Sequence, residues 1–133
     1  MAATSVPTGL IDSDILIDVE RNVAKAVAFL AAQRAVGGFR LSVITAMELT
    51  IGCRGKQELQ KLQQFLVHGQ VIQLSAAISR QAHLWLERYN LSHGLMIPDA
   101  LIAATALESG LPLYTKNIRH YQMLPGLTVI RPY

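Results

Sequence analysis

Three carboxylates stand where this chain passes from one kind of pattern to another. Asp12 closes the apolar run of TGLID, Glu48 sits in TAME at the head of a helical pattern, and Asp99 follows Pro98 in IPDALIAATALESG. The chain has nine acidic residues in all, so three at such junctions form a marked placement. Brought together they would repel one another, and a divalent cation would remove that repulsion. Mg²⁺ or Mn²⁺ suits carboxylate oxygen and water far better than the scattered histidines or the lone Cys53 would suit zinc. Such a site can polarise a phosphate and activate water for in-line hydrolysis.

Each acid also has a local explanation. Asp12, with Ser13 and Asp14 beside it, reads as a helix N-cap, because these side chains accept hydrogen bonds from the free amides of a first turn. Thr45 and Glu48 have the spacing of a capping box. Asp99 would gain about 0.3–1 kcal/mol from the positive end of its helix. Yet ALIAATAL presents apolar or small side chains on every side, so this helix is expected to be buried, where a lone charge is expensive unless paired or bound to a metal. The nearest basic residues in sequence are Arg88 and Lys116. Asp18, Glu20, Glu58, Glu87 and Glu108 fall at polar positions of helical patterns and are assigned to solvated faces. Asp14 stays ambiguous.

Alternating elements must position these acids. Short strands are expected at residues 8–12, 39–45, 71–75, 111–115 and 127–131. Between them lie the helical patterns ILIDVE, NVAKAVAFLAAQRAV, AMELTIG, KQELQKLQQFLVHG, AAISRQAHLWLERYNLSHG and PDALIAATALESG, most of them closed by glycine. Strands alternating with helices predict an α/β fold with a parallel sheet covered on both faces. Ligands in such folds bind beyond the carboxyl ends of the strands, where Asp12 lies.

With 133 residues, the chain is expected to form one domain. Its 51% hydrophobic and 16% charged residues exclude intrinsic disorder. No uninterrupted apolar run reaches membrane-spanning length, MAATSVPTG lacks the pattern of a secretory signal, and Cys53 has no disulfide partner. A reducing, cytoplasmic setting is expected. The net charge of +3 is a mild bias toward an anionic partner.

GLIDSDILID, SVITAMELTIG, IPDALIAATALESGLPLYTKNIRHY and LPGLTVI, in that order and spacing, resemble the PIN domain, and within it the small VapC-type ribonuclease toxins of bacterial toxin–antitoxin pairs. The resemblance covers nearly the whole chain. It implies a PIN-like α/β sandwich with a central, mostly parallel sheet of four to five strands and helices on both faces. It also implies an acidic pocket binding Mg²⁺ or Mn²⁺ for hydrolysis of RNA phosphodiesters. The matching acids are Asp12, Glu48 and Asp99: the two aspartates would hold the principal ion, and Glu48 would bind a second ion or orient the attacking water.

The departure is at the fourth corner. Many members place another acid after the fourth strand, whereas this chain reads TKNIRHY. Thr115 and Asn117 could orient water, a metal ligand or backbone, with Asn117 equally suited to an N-cap, and His120 falls where related sequences often have an acid. Ser13 is a further supporting candidate beside Asp12. Some of Arg21, Lys25, Arg54, Lys56, Lys116 and Arg119 would steer the RNA backbone. The resemblance further implies homodimerisation, with a larger toxin–antitoxin complex as the alternative, and a VapB-like antitoxin lying in a groove near the N-terminal helices. Ile15, Leu16, Ile17, Val19, Val27 and Leu30 would line such surfaces or simply be core.

Two other readings remain open at this level. LIDSDILI resembles the start of haloacid dehalogenase-like phosphotransferases, whose first Asp is a nucleophile, but their later acidic motif is missing. Alternatively, the weakened fourth corner would leave a PIN-like interaction module without turnover.

Overall fold

The computed structural model describes residues 7–133. The first apolar run contributes a two-residue strand, β1 (Leu10–Ile11), before Asp12 caps helix α1 (Ser13–Glu20). Helix α2 (Ala24–Ala35), strand β2 (Phe39–Ser42) and helices α3 (Val43–Ile51) and α4 (Lys56–Val67) follow. Then come β3 (Gly69–Ile72), α5 (Ala76–His93), α6 (Ile97–Glu108) and β4 (Leu113–Tyr114). A 3-10 turn (Ile118–His120) and β5 (Val129–Ile130) complete the order.

The five strands form one sheet in the order β3-β2-β1-β4-β5, and every pairing is parallel. After β1 the chain builds outward through β2 and β3, then returns to lay β4 on the other side of β1. The strand order therefore reverses between β1 and β4, the place where open parallel sheets present a crevice at their carboxyl ends. Leu10 pairs with Leu113 and Ile11 with Tyr114, which sets Asp12 beside Thr115. The backbone carries this register to the site, with Asp12 N–H donating to Tyr114 O at 2.9 Å.

Alternation along two-residue strands is enough to divide the core. Leu10 and Leu113 face a cluster with Ile78, Ala82, Trp85, Leu95 and the alanines of α6. Ile11 and Tyr114 face the opposite cluster, with Ile15, Leu16, Phe29, Leu30, Phe39 and Leu41. Gly9 admits this packing, since a Cβ there would lie 2.7 Å from a Tyr114 ring carbon and 2.8 Å from Pro112 O. On α5 the buried residues Ile78, Ala82 and Trp85 recur at one-turn spacing, and the helix stops at Gly94, whose φ of +72° suits glycine. Helix α6 is buried as its composition predicts: Ala100, Ala103, Ala104 and Ala106 have no exposed surface. Among the described residues, no helix is long and apolar enough to cross a membrane.

Several boundaries differ from expectation. Strand β2 ends at Ser42, whose Oγ accepts from Ile44 N–H at 3.1 Å and starts α3 there, so Thr45 and Glu48 lie inside the helix and form no capping box. The third strand begins at Gly69 rather than Val71, because Phe39 to Ser42 pair with Gly69 to Ile72. Asn117 makes no side-chain cap. Asp18, assigned to a solvated face, is instead buried: its Oδ2 pairs with Lys116 Nζ at 2.6 Å and accepts from the Tyr133 hydroxyl at 2.6 Å. Of the apolar stripe, Ile15, Leu16 and Leu30 are core, Ile17 and Val19 are half-buried and Val27 is exposed.

Candidate active site

At the carboxyl end of β1, Asp12 is 5% exposed and four donors meet its two oxygens. Oδ1 accepts from Ser13 N–H at 2.8 Å and, more weakly, from Ser13 Oγ at 3.4 Å. Oδ2 accepts from Thr115 Oγ1 at 2.8 Å and from the Tyr121 hydroxyl at 3.0 Å. The same Tyr121 hydroxyl lies 3.1 Å from Asp99 Oδ1, so one proton is shared between the carboxylate that follows β1 and the one in the first turn of α6. Asp99 Oδ2 in turn meets His120 Nδ1 at 3.1 Å. Glu48, half-buried on α3, joins the group through Ser13, whose Oγ lies 3.2 Å from Glu48 Oε1.

The electrostatics are those of gathered negative charge. Burial, reinforced by the neighbouring Asp14 charge, pushes the Asp12 carboxyl up from 3.8 to about 6, although the Thr115, Ser13 and Tyr121 hydrogen bonds pull the other way. Burial also raises Glu48; the Ser13 hydrogen bond opposes this and the Asp99 charge adds to it. Tyr121 is held far above the ordinary phenol range, first by burial and then by the two carboxylates, which keeps it a neutral donor.

Asp14 supplies a fourth carboxylate from α1, where TKNIRHY has none. Its Oδ2 accepts from Lys116 N–H at 2.9 Å and lies 3.4 Å from Thr115 Oγ1, while its buried Oδ1 has no partner. Thr115 thus touches both aspartates of DSD, and its Oγ1 also accepts from Asn117 N–H at 3.0 Å. Asn117 contributes backbone to this turn, and its side chain is exposed.

The cations named from sequence do not gather here. Arg54 pairs with Glu58 at 3.4 Å on the surface, Lys116 is committed to Asp18, and Arg21, Lys25, Lys56 and Arg119 are exposed. None of the ion pairs described for them reaches Asp12, Glu48 or Asp99.

Sequence reasoning missed Tyr121. It ends NIRHY as an apparent core aromatic, and it is 1% exposed; the available signal was the hydroxyl itself, which a buried tyrosine must satisfy.

Among the described residues, no three His, Cys, Asp or Glu side chains stand close enough together to enclose an ion unaided. The donor set nevertheless fits a hard divalent cation. It is all oxygen, Asp12 and Glu48 lack a cationic partner among the described ion pairs, and an orphaned carboxylate oxygen of Asp14 is buried beside Thr115.

Comparison with known proteins decides the family. The PIN domain model matches residues 10–123. The chain belongs to the PIN-domain family. It is 35% identical over 119 residues to Ribonuclease VapC10 of Mycobacterium tuberculosis, covering 89% of each chain. It is likewise 35% identical over 121 residues to Ribonuclease VapC19 of the same organism, covering 89% of this chain and 95% of that one. A toxin–antitoxin complex from Klebsiella pneumoniae contains a chain of the same fold, with TM-score 0.79, 29% identity, and 95% and 98% of the two chains covered. VapBC2 from Rickettsia felis, bound to a DNA fragment from its promoter, matches with TM-score 0.76 and 24% identity over 91% and 96% of the chains, a likeness of fold. The five-stranded parallel sheet is therefore that of the PIN fold, and the dehalogenase-like reading of LIDSDILI falls away. Within this PIN domain, Asp12, Glu48 and Asp99 form one hydrogen-bonded group, with Ser13, Thr115 and His120 each bonded to at least one of the three.

Proposed function

We propose that this PIN domain is a Mg²⁺- or Mn²⁺-dependent endoribonuclease, the toxin of a type II toxin–antitoxin pair that restrains growth or translation by cutting RNA. The observation that carries this reading is the shared hydroxyl. Tyr121 ties Asp12 to Asp99 at the point where the strand order reverses, and Ser13 ties Asp12 to Glu48.

Asp12 and Asp99 would hold the ion, with Glu48 completing the site or receiving the proton of the attacking water. The bound ion would lower the pKa of water and offset charge on the phosphate oxygens. Thr115 and Ser13 fix the Asp12 carboxylate, and Ser13 links it to Glu48. His120, exposed at the rim, orients Asp99 from the solvent side. Arg119 and Lys56 are free to meet RNA phosphates, whereas Lys116 holds α1 to the turn after β4.

Cleavage of a mixed structured RNA pool in Mn²⁺ or Mg²⁺ tests the assignment. Asp99→Asn should lower the rate by more than about a hundredfold with the fold intact, since changes behind metal ligands already cost ten- to a hundredfold. Cleavage that survives EDTA, or an Asp99→Asn variant that cuts as fast as wild type, would show that the carboxylates are helix-end residues only. Wild type that shows little Mn²⁺ stabilisation dependent on Asp12 or Asp99 and cuts nothing would favour the interaction-module reading.

A VapB-like antitoxin is proposed for the groove between α1, α3 and α4. Leu16, Val19, Leu49, Leu62 and Phe65 give it an apolar floor, and Arg54, Glu58 and Lys61 give it a charged rim. That lining suits the apolar face of an amphipathic helix with charges along its flank. A homodimer is proposed as the working form, and a reducing cytoplasm as its setting; the oligomer is read by light scattering, where a monomer at micromolar concentration would overturn it.

A further inference from the structure

We propose that Tyr121 is a positioning residue for the divalent ion: its hydroxyl lies within hydrogen-bond reach of one oxygen of Asp12 and one of Asp99, and so fixes the separation of the two carboxylates that would hold the ion. The inference rests on the metal-dependent reading above.

Among the described hydrogen bonds, Tyr121 is the side chain that touches both Asp12 and Asp99; of these two, Thr115 reaches only Asp12 and His120 only Asp99. The two acids come from different elements, one following β1 and one in α6, so no shared backbone fixes their separation. The clamp is rigid because its ring belongs to the core cluster that includes Leu124 and the α6 alanines. Its hydroxyl oxygen therefore cannot swing away, and only its proton is free to turn.

The two oxygens of Asp12 have partners of different burial: Oδ2 accepts from Thr115 and Tyr121, both buried, while Oδ1 accepts from half-buried Ser13, whose hydroxyl leads on to Glu48. Asp99 gives Oδ1 to Tyr121, and its Oδ2 faces the exposed His120. Tyr121 thus takes one oxygen of each aspartate, and Asp12 and Asp99, with Glu48 joined through Ser13, are the side chains that would hold the ion. A donor behind metal-binding carboxylates fixes their orientation before the ion arrives, and such supporting contacts commonly change metal affinity by about ten- to a hundredfold.

Calorimetric titration with Mn²⁺ of wild type, Tyr121→Phe and Asp99→Asn tests this. Tyr121→Phe keeps the packed ring and removes only the hydroxyl. Its Mn²⁺ dissociation constant should rise by roughly ten- to a hundredfold. Its circular dichroism spectrum should match wild type, and its RNA cleavage should recover toward the wild-type rate as Mn²⁺ is raised to saturation. A structural defect would not be rescued by the ion. If wild type binds Mn²⁺, Asp99→Asn does not, and Tyr121→Phe binds as tightly as wild type, the metal reading stands and the clamp is overturned. If wild type takes up no Mn²⁺, the metal reading fails and the clamp falls with it.

Discussion

Replacing Asp12 with asparagine should make the metal-free protein more stable at neutral pH while destroying its site. In the folded protein Asp12 keeps its proton up to about pH 6, and unfolded it gives the proton up near 3.8. Folding therefore takes up a proton between those values, and this group's contribution to stability falls as pH rises through the window. Two pH units at about 1.36 kcal/mol each amount to a penalty of about 3 kcal/mol for holding the charged form at pH 7.5. Asparagine removes that charge. It keeps one acceptor oxygen for Ser13 N–H, and the Thr115 and Tyr121 hydroxyls can turn to accept from its amide. Rearranging these bonds costs about 1 kcal/mol, which leaves a net gain of about 2 kcal/mol. For a chain of this length that is about 6–10 °C in melting temperature. Thermal melts in EDTA at pH 7.5 and pH 4 measure it. At pH 4 the wild-type carboxyl is already protonated in the fold, so most of the difference should vanish. A variant that melts at or below wild type at both pH values would refute the claim that buried charge at Asp12 is uncompensated.

Two further outcomes follow from contacts outside the carboxylate group. Hydrogen bonds from Lys116 and then Tyr133 hold Asp18 below the usual carboxylate range, so its contribution to stability is present above its unfolded pKa and is lost as pH falls below about 3.8. Asp18→Ala should lower the melting temperature at pH 7 and make little difference near pH 2, as read in paired melts; equal losses at both would mean that packing, not charge, is what Asp18 supplies. Leu62→Asp, on the floor of the α1/α3/α4 groove, should weaken antitoxin capture in a pull-down by at least about tenfold, the equivalent of 1.4 kcal/mol, with ribonuclease activity unchanged. Undiminished capture would place the partner on another face.

The acids that the fold brings together were legible because the chain has so few of them and because α6 is too apolar to carry Asp99 on an exposed face. That the sheet is parallel followed from the alternation of strands and helices, although the order of its strands and the start of α3 did not. Ser42 and Thr45 are both acceptable caps by residue type, and the cap falls at Ser42, where the strand that pairs with β3 ends. What stayed hidden is long-range. Lys116 looked like an RNA-facing cation, and Asp18 looked solvated, because nothing local announces that β1/β4 pairing brings the two within 2.6 Å. Tyr121 went unremarked because its ring is packing; only its hydroxyl reaches the carboxylates.

The reversal of strand order between β1 and β4 also sets a clock on the ribosome. Asp12 and the Tyr121 hydroxyl that completes its surroundings are 109 residues apart in the chain. At synthesis rates of about 5–20 residues per second, a nascent chain carries Asp12 for roughly 5–22 s before Tyr121 is made. Until Leu113 and Tyr114 are made β1 lacks its β4 neighbour, and until Tyr121 is made the carboxylates have no common donor. A PIN domain made beside messenger and ribosomal RNA therefore lacks this assembled carboxylate group until the segment that follows β4 has been made.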